Sequence, residues 1–251
     1  MERIRYGEAP QAYGTLSIPD GIGPFAVVVL IHGGFWREQY GPDLMDPLAI
    51  DLADRGVAVW NFDYRAVGNP TGGWPGTFED VGAAMDHLSE IDAPLDLANV
   101  IVIGHSAGGH LALWTGSRHL LQPDDPGAVP IVVPAVIVAQ APVVDLVGAA
   151  GRGLGANAVQ GLLGGEPEEF PDRYRVAQPG PGPAGVIVTH GDADRNVPPA
   201  ESAMLDGDDP TSVWFGFENT TRLTDPTAEH FAVIDPTHRL WQQTLHELGL
   251  S

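Results

Sequence analysis

The 251 residues include no cysteine and no lysine. The missing cysteine excludes disulfides, thiolate metal sites and a thiol nucleophile. All twelve basic residues are arginine, set against 33 acidic ones, for a net charge of −21. A surface of this sign repels phosphate backbones and anionic membranes, so neither nucleic acid nor membrane is an expected partner. It suits a well-solvated surface, and a salt-adapted host fits it too. Long apolar runs are also absent. The longest, "FAVVVLI", is far too short to span a bilayer. "MERIRYGEAP" offers no stretch for a signal peptide, so a cytoplasmic protein is expected. No internal repeat or separating linker is visible.

What is present reads as one globular unit. Hydrophobic residues make up 43% of the chain, and the length suits one core, so a single domain over 1–251 is expected. Strand-like runs alternate with helical patterns, which predicts an α/β fold with a mostly parallel central sheet and helices on both faces. "RIRYG" and "AYGTLSI" predict two short N-terminal strands. "FAVVVLI" predicts a strand buried on both faces, and "VAVWNFDYR", "NVIVIG", "AVIVAQAP" and "GVIVTHG" predict further strands. "TSVWFGF" predicts the last one. Leu44, Leu48 and Leu52 mark one apolar helix face. Phe78, Val81, Met85 and Leu88 mark another, with Thr77 and Asp80 read as a capping box. Before the C-terminal helix, Asp235 reads as N-cap and Pro236 as the first helical residue. Residues 146–183 break the alternation with Gly and Pro and predict an excursion over one end of the sheet.

"GHSAGG" places Ser106 in a G-x-S-x-G pattern, between a strand and a helix, the context in which such a serine stands exposed on a strained turn. An alcohol needs a base, a group to orient that base and donors for a developing oxyanion. "IHGGFWR" follows a strand and supplies backbone donors. Gly34 and Phe35 are the candidates there, with the choice between them open, beside Ala107 at the positive end of the following helix. "VTHGDADRNVP" ends another strand. Asp194 is the candidate acid; Asp192 reads as a turn cap, and Asp145 is an alternative. Among nine histidines, His230 lies after the last predicted strand and gives the order serine, acid, histidine. His32 and His105 sit inside the motifs, His190 sits at a strand end, and no H-E-x-x-H pattern occurs. Phe35, Trp36 and Trp74 are candidate substrate contacts; Trp36 packing under its loop and Trp74 plugging against the excursion are the other readings.

On these motifs the chain resembles small α/β-hydrolase-fold serine esterases, in the branch that includes bacterial carboxylesterases and kynurenine formamidases (arylformamidases). "HGGFW" is similar to the HGG-x-W form of the oxyanion motif, "DYR" at 63–65 to a segment of the hormone-sensitive-lipase-like branch, and "VQGLLGGEPEEFPDRYRVAQP" to a short cap. The resemblance runs from about residue 15 to 245. One departure is visible: between Ala200 and His230 the family's long helix and short strand give way to a short helical piece and a long polar stretch.

The resemblance implies a serine hydrolase that cleaves a small ester or amide through an acyl-enzyme, with no metal and no cofactor. An arylformamidase acting on an N-formyl aromatic amine is the nearest alternative. A non-catalytic small-molecule binder is another, and acyl transfer or perhydrolysis a third. The oligomeric state has no signal in the sequence.

Overall fold

A computed structural model describes residues 2–205 and 220–251. Eight strands form one sheet: β1 (Glu2–Arg5), β2 (Tyr13–Ser17), β3 (Phe25–Ile31), β4 (Ala58–Phe62), β5 (Leu95–His105), β6 (Val136–Gln140), β7 (Gly185–Gly191) and β8 (Thr220–Asp225). Their order is β1-β2-β4-β3-β5-β6-β7-β8. β2 pairs antiparallel with β1 and β4, and the remaining pairings are parallel.

The period-two alternation of strand side chains divides each central strand between two cores. Val27, Val29 and Ile31 of β3 enter one core, together with Trp60, Val102, Ala139 and Val188. Val28 and Leu30 enter the other, with Ile103, Val138 and Ile187. Both faces are covered, which is why "FAVVVLI" can be apolar throughout. Helices α1 (Asp46–Asp54) and α8 (Arg239–Glu247) cover the second core through Leu48, Leu52, Trp241 and Leu245. The first is covered by α2 (Gly76–Asp86) and α3 (Ala107–Ser117) through Phe78, Val81, Leu111 and Trp114. Three helices fill the Gly/Pro-rich excursion: α4 (Leu146–Gly151), α5 (Leu154–Leu163) and α6 (Pro171–Ala177). They bury Leu146, Val159, Leu162 and Tyr174 against the first core. α7 (Ala200–Ala203) is a single turn after β7.

Two local expectations need correction, and one other cannot be placed. "TSVWFGF" lies outside the described residues. The last described strand, β8, comes from the polar "TTRLTD", which pairs with β7 from Val186–Thr220 to Gly191–Asp225. An edge strand keeps one side in water, so polar residues suffice there. Thr77 and Asp80 form no capping box. The Thr77 hydroxyl donates to Arg65 O at 2.5 Å, and Asp80 takes the Arg65 guanidinium at 2.7 Å. α8 starts at Arg239 with His238 as N-cap, whereas Asp235 accepts from Thr237 N–H and closes a turn one step earlier.

The chain runs from β3 to β4 on one side and then crosses to β5 on the other. The carboxyl ends of β3 and β5 therefore flank the switch point where open α/β sheets hold ligands. There β3, β5 and α3 pack backbone against backbone. A Cβ on Gly108 would stand 2.1 Å from Ile31 O and 2.5 Å from His32 O, and one on Gly104 would stand 2.1 Å from Gly108 O. Neither neighbour can yield, since both are main chain. Gly108→Ala is expected to cost about 1–3 kcal/mol or more of folding stability, measured by urea unfolding. A wild-type midpoint in that variant would contradict the packing described here.

Candidate active site

Ser106 sits between β5 and α3 at φ 57°, ψ −117°, a conformation that costs a non-glycine residue about 1–3 kcal/mol. Its N–H donates to Gln140 O at 2.7 Å, and its carbonyl accepts from His110 N–H at 3.1 Å. Those bonds anchor the turn to β6 and to α3. Ala107 is the first residue of α3, so its N–H has no intrahelical partner. The Ser106 hydroxyl is buried and has no hydrogen-bond partner among the described residues.

The loop after β3 closes over this turn. Gly34, Phe35 and Trp36 all take positive φ, at 108°, 54° and 55°. Two consecutive non-glycine residues in that region show a loop held from outside rather than by its own preference. From below, Tyr64 stacks on His32 at 4.3 Å and donates to His32 O at 3.0 Å. From above, Arg37 donates to Gly155 O at 2.5 Å and Ala156 O at 3.2 Å in the excursion. The "DYR" segment thus braces the loop. Its arginine forms a forked pair with Asp80, which ties the segment to α2.

Asp194 and His230 meet across the ends of β7 and β8. His230 Nδ1–H donates to Asp194 Oδ2 at 2.6 Å, which commits Nδ1 and leaves Nε2 outside that bond. Gly191 makes the approach possible: a Cβ there would stand 2.1 Å from Ala228 O, in the turn that carries His230. Asp194 Oδ1 accepts from the N–H groups of Asn196 at 2.8 Å and Val197 at 3.0 Å. His190 Nε2 lies 3.1 Å from Oδ2. Burial alone would raise the Asp194 pKa. The hydrogen bonds from His190 and His230, then the His230 charge and the Val197 N–H, outweigh it and hold the carboxyl well below its ordinary range.

Ser106, His105 and His230 line one cavity of ≈ 40 Å³ with Gly34 and Phe35. The serine hydroxyl and the imidazole thus share a space, without a hydrogen bond between them in this structure. Asp192 is exposed, and Asp145 caps α4 by accepting from Gly148 N–H. Of the three candidate substrate contacts, only Phe35 borders the cavity. Trp36 is fully buried under its loop, edge-on to His110 at 5.3 Å. Trp74 tilts against Phe78 at 5.6 Å, and its N–H donates to Leu162 O of α5 at 2.7 Å. These are the packing readings that the sequence offered for both tryptophans, with Trp36 fully buried and Trp74 half-buried. Among the described residues, no group of three or more His, Asp or Glu is placed to hold a metal ion, and no helix is long and apolar enough to cross a membrane.

A family model described as BD-FAE matches residues 18–208. The chain belongs to the BD-FAE family. The match takes in Ser106, Asp194 and the 32–37 loop, and stops short of His230. Esterase EstD of Thermotoga maritima is 30% identical over 104 residues, which is 39% of this chain and 25% of that protein. The matched stretch therefore spans about a quarter of that relative. Two solved structures superpose on nearly the whole BD-FAE chain. A truncated form of carbohydrate esterase from gut microbiota has a TM-score of 0.82 at 19% identity, covering 98% of this chain and 94% of that one. Esterase B from Lactobacillus rhamnosis HN001 has a TM-score of 0.76 at 22% identity, covering 98% and 82%. The fold is that of the α/β-hydrolases.

Several cavity neighbours were not singled out by the sequence. Tyr40, Asn196 and Phe231 border it from loops with no periodic signal, and Leu44, read only as part of a helix face, borders it from a single 3-10 turn at Pro42–Met45. His105 is the more informative case. Its Nε2–H donates to His230 O at 3.1 Å, so it fixes the backbone of the very residue that meets Asp194. Burial, reinforced by the nearby His230, pushes the His105 imidazole down to about 3. Burial pushes His110 down to about 4. Both rings therefore stay neutral in the folded protein, while the unfolded chain takes up protons below the ordinary 6.5. Stability is complete above that pH and falls as pH drops toward 4. The pair should remove roughly 4 kcal/mol between pH 7 and pH 5, at about 1.4 kcal/mol per pH unit for each ring. Urea unfolding across this range checks it. His110→Gln should about halve the slope, and a flat profile would refute it.

Proposed function

We propose that this protein is a serine hydrolase that cleaves a carboxylic ester of a small substrate through an acyl-enzyme. One observation carries the reading: His230, held through Nδ1 by Asp194, shares a cavity with the strained Ser106, whose hydroxyl has no hydrogen-bond partner among the described residues. In this reading Nε2 takes the hydroxyl proton as Oγ attacks the carbonyl carbon. The missing Ser106–His230 hydrogen bond does not count against it, because such bonds commonly tighten only with substrate bound. The carbonyl electrons move to oxygen, which accepts from Ala107 N–H and from Gly34 or Phe35 N–H. His230 then returns the proton to the leaving alcohol. Water, activated the same way, releases the acid and restores Ser106. Asp194 holds the tautomer that this sequence needs and stabilises the imidazolium formed in each half.

The relatives named above are esterases, which supports an ester as substrate. The arylformamidase branch suggested by "HGGFW" finds no support in them. The small cavity, ≈ 40 Å³, supports a short acyl group.

Ser106→Ala should remove nearly all turnover of p-nitrophenyl acetate without changing the unfolding midpoint, and a fluorophosphonate should label Ser106 in the parent protein. Retained turnover or absent labelling would overturn the assignment. Across acetate, butyrate and octanoate, kcat/KM should fall with length, by roughly 10-fold or more from first to last. N-formylkynurenine run beside them should be the poorer substrate; a preference for it would move the reading to the formamide.

A further inference from the structure

We infer that His190 and Ser202 are positioning residues that set the aim and charge of the Asp194 carboxylate; this rests on the hydrolase reading above. Two imidazoles reach the same oxygen. Asp194 Oδ2 lies 2.6 Å from His230 Nδ1 and 3.1 Å from His190 Nε2. The tautomer of His190 follows from its other contacts. Nε2 also lies 3.1 Å from the carbonyl of Val197, which can only accept, so Nε2 carries the proton. Nδ1 is then an acceptor, and the Ser202 hydroxyl donates to it. A chain of donors thus runs from Ser202 on α7 through His190 on β7 to Asp194, and ends on the oxygen that receives His230.

His190 and Ser202 are completely buried. They cannot meet substrate, so any effect they have passes through Asp194. Without His190, Oδ2 loses a donor on the side opposite His230. Its charge then falls on a single partner, and the carboxylate can turn about its Cβ–Cγ bond. The first effect strengthens the hold on a protonated His230, and the second misdirects the ring.

The other charged groups nearby are committed elsewhere. Glu201, beside Ser202 on α7, accepts from the N–H groups of Val144 and Asp145 and pairs with Arg152. His105, at the end of β5, donates to the His230 carbonyl. Asp225, at the end of β8, pairs with Arg239. Asp192, Arg195 and Glu229 are exposed.

The test uses the intact protein, p-nitrophenyl acetate and full pH profiles for His190→Leu, His190→Gln and Ser202→Ala. His190→Leu should lower kcat roughly 10- to 100-fold with KM little changed. The acidic limb of kcat/KM should move up by about 0.5–1 pH unit. His190→Gln, whose amide can still donate, should recover part of the rate and of the limb. Ser202→Ala should shift both in the same direction by less, and it carries the test alone if the His190 variants do not fold. Folded variants with parental kcat and an unmoved limb would overturn the inference. So would a rate loss that only tracks the fraction of protein labelled by a fluorophosphonate, since that is the mark of a structural role. Ser106→Ala in the same series separates the two claims: its retained activity would sink the hydrolase reading itself.

Discussion

A serine held at φ 57° persists only where its surroundings leave no other conformation available. Here the surroundings are main chain. The end of β3, the end of β5 and the first turn of α3 touch without intervening side chains, because Gly104 and Gly108 remove the two Cβ atoms that would separate them. This contact sets everything above it. It turns the chain sharply at Ser106 between β5 and α3 and brings the loop after β3 alongside. The local strain is offset by a helix that is buried on every side and by strands whose alternate residues feed two separate cores.

The rest of the site is arranged around charge. A carboxylate with four donors on its two oxygens stays ionised although little water reaches it. Three of the histidines near it have one nitrogen committed as donor to a fixed acceptor: His105 to a carbonyl, His190 to a carbonyl and Asp194, His230 to Asp194. Of these rings, His105 and His230 line the cavity, and of those two His230 alone is held by Asp194. The arrangement distinguishes one imidazole from its neighbours by hydrogen bonding and burial, not by residue type.

Much of this could be read from the chain. "FAVVVLI" announces a strand covered on both faces, and the elbow, the loop after β3, the acid and the histidine each follow a strand end, which is where the sheet gathers them. What escaped was set by tertiary context. "TTRLTD" carries no apolar alternation because an edge strand needs none. Thr77 and Asp80 have the spacing of a cap, but Arg65 offered them a stronger partner. His190 looked like one more histidine at a strand end. Its meaning lies in Ser202, twelve residues on, and no local pattern records that contact.

Arg37 and Phe35 tie two distant parts of the chain together. The guanidinium holds the carbonyls of Gly155 and Ala156, and the Phe35 ring occupies the place where a side chain on Gly155 would stand. Residues 155–157 are themselves wound left-handed, two of them without the freedom of glycine. The excursion and the loop beneath it therefore behave as a latch and its keeper. The wall of the cavity formed by Phe35 is therefore seated on that turn, so the shape of the one depends on the winding of the other.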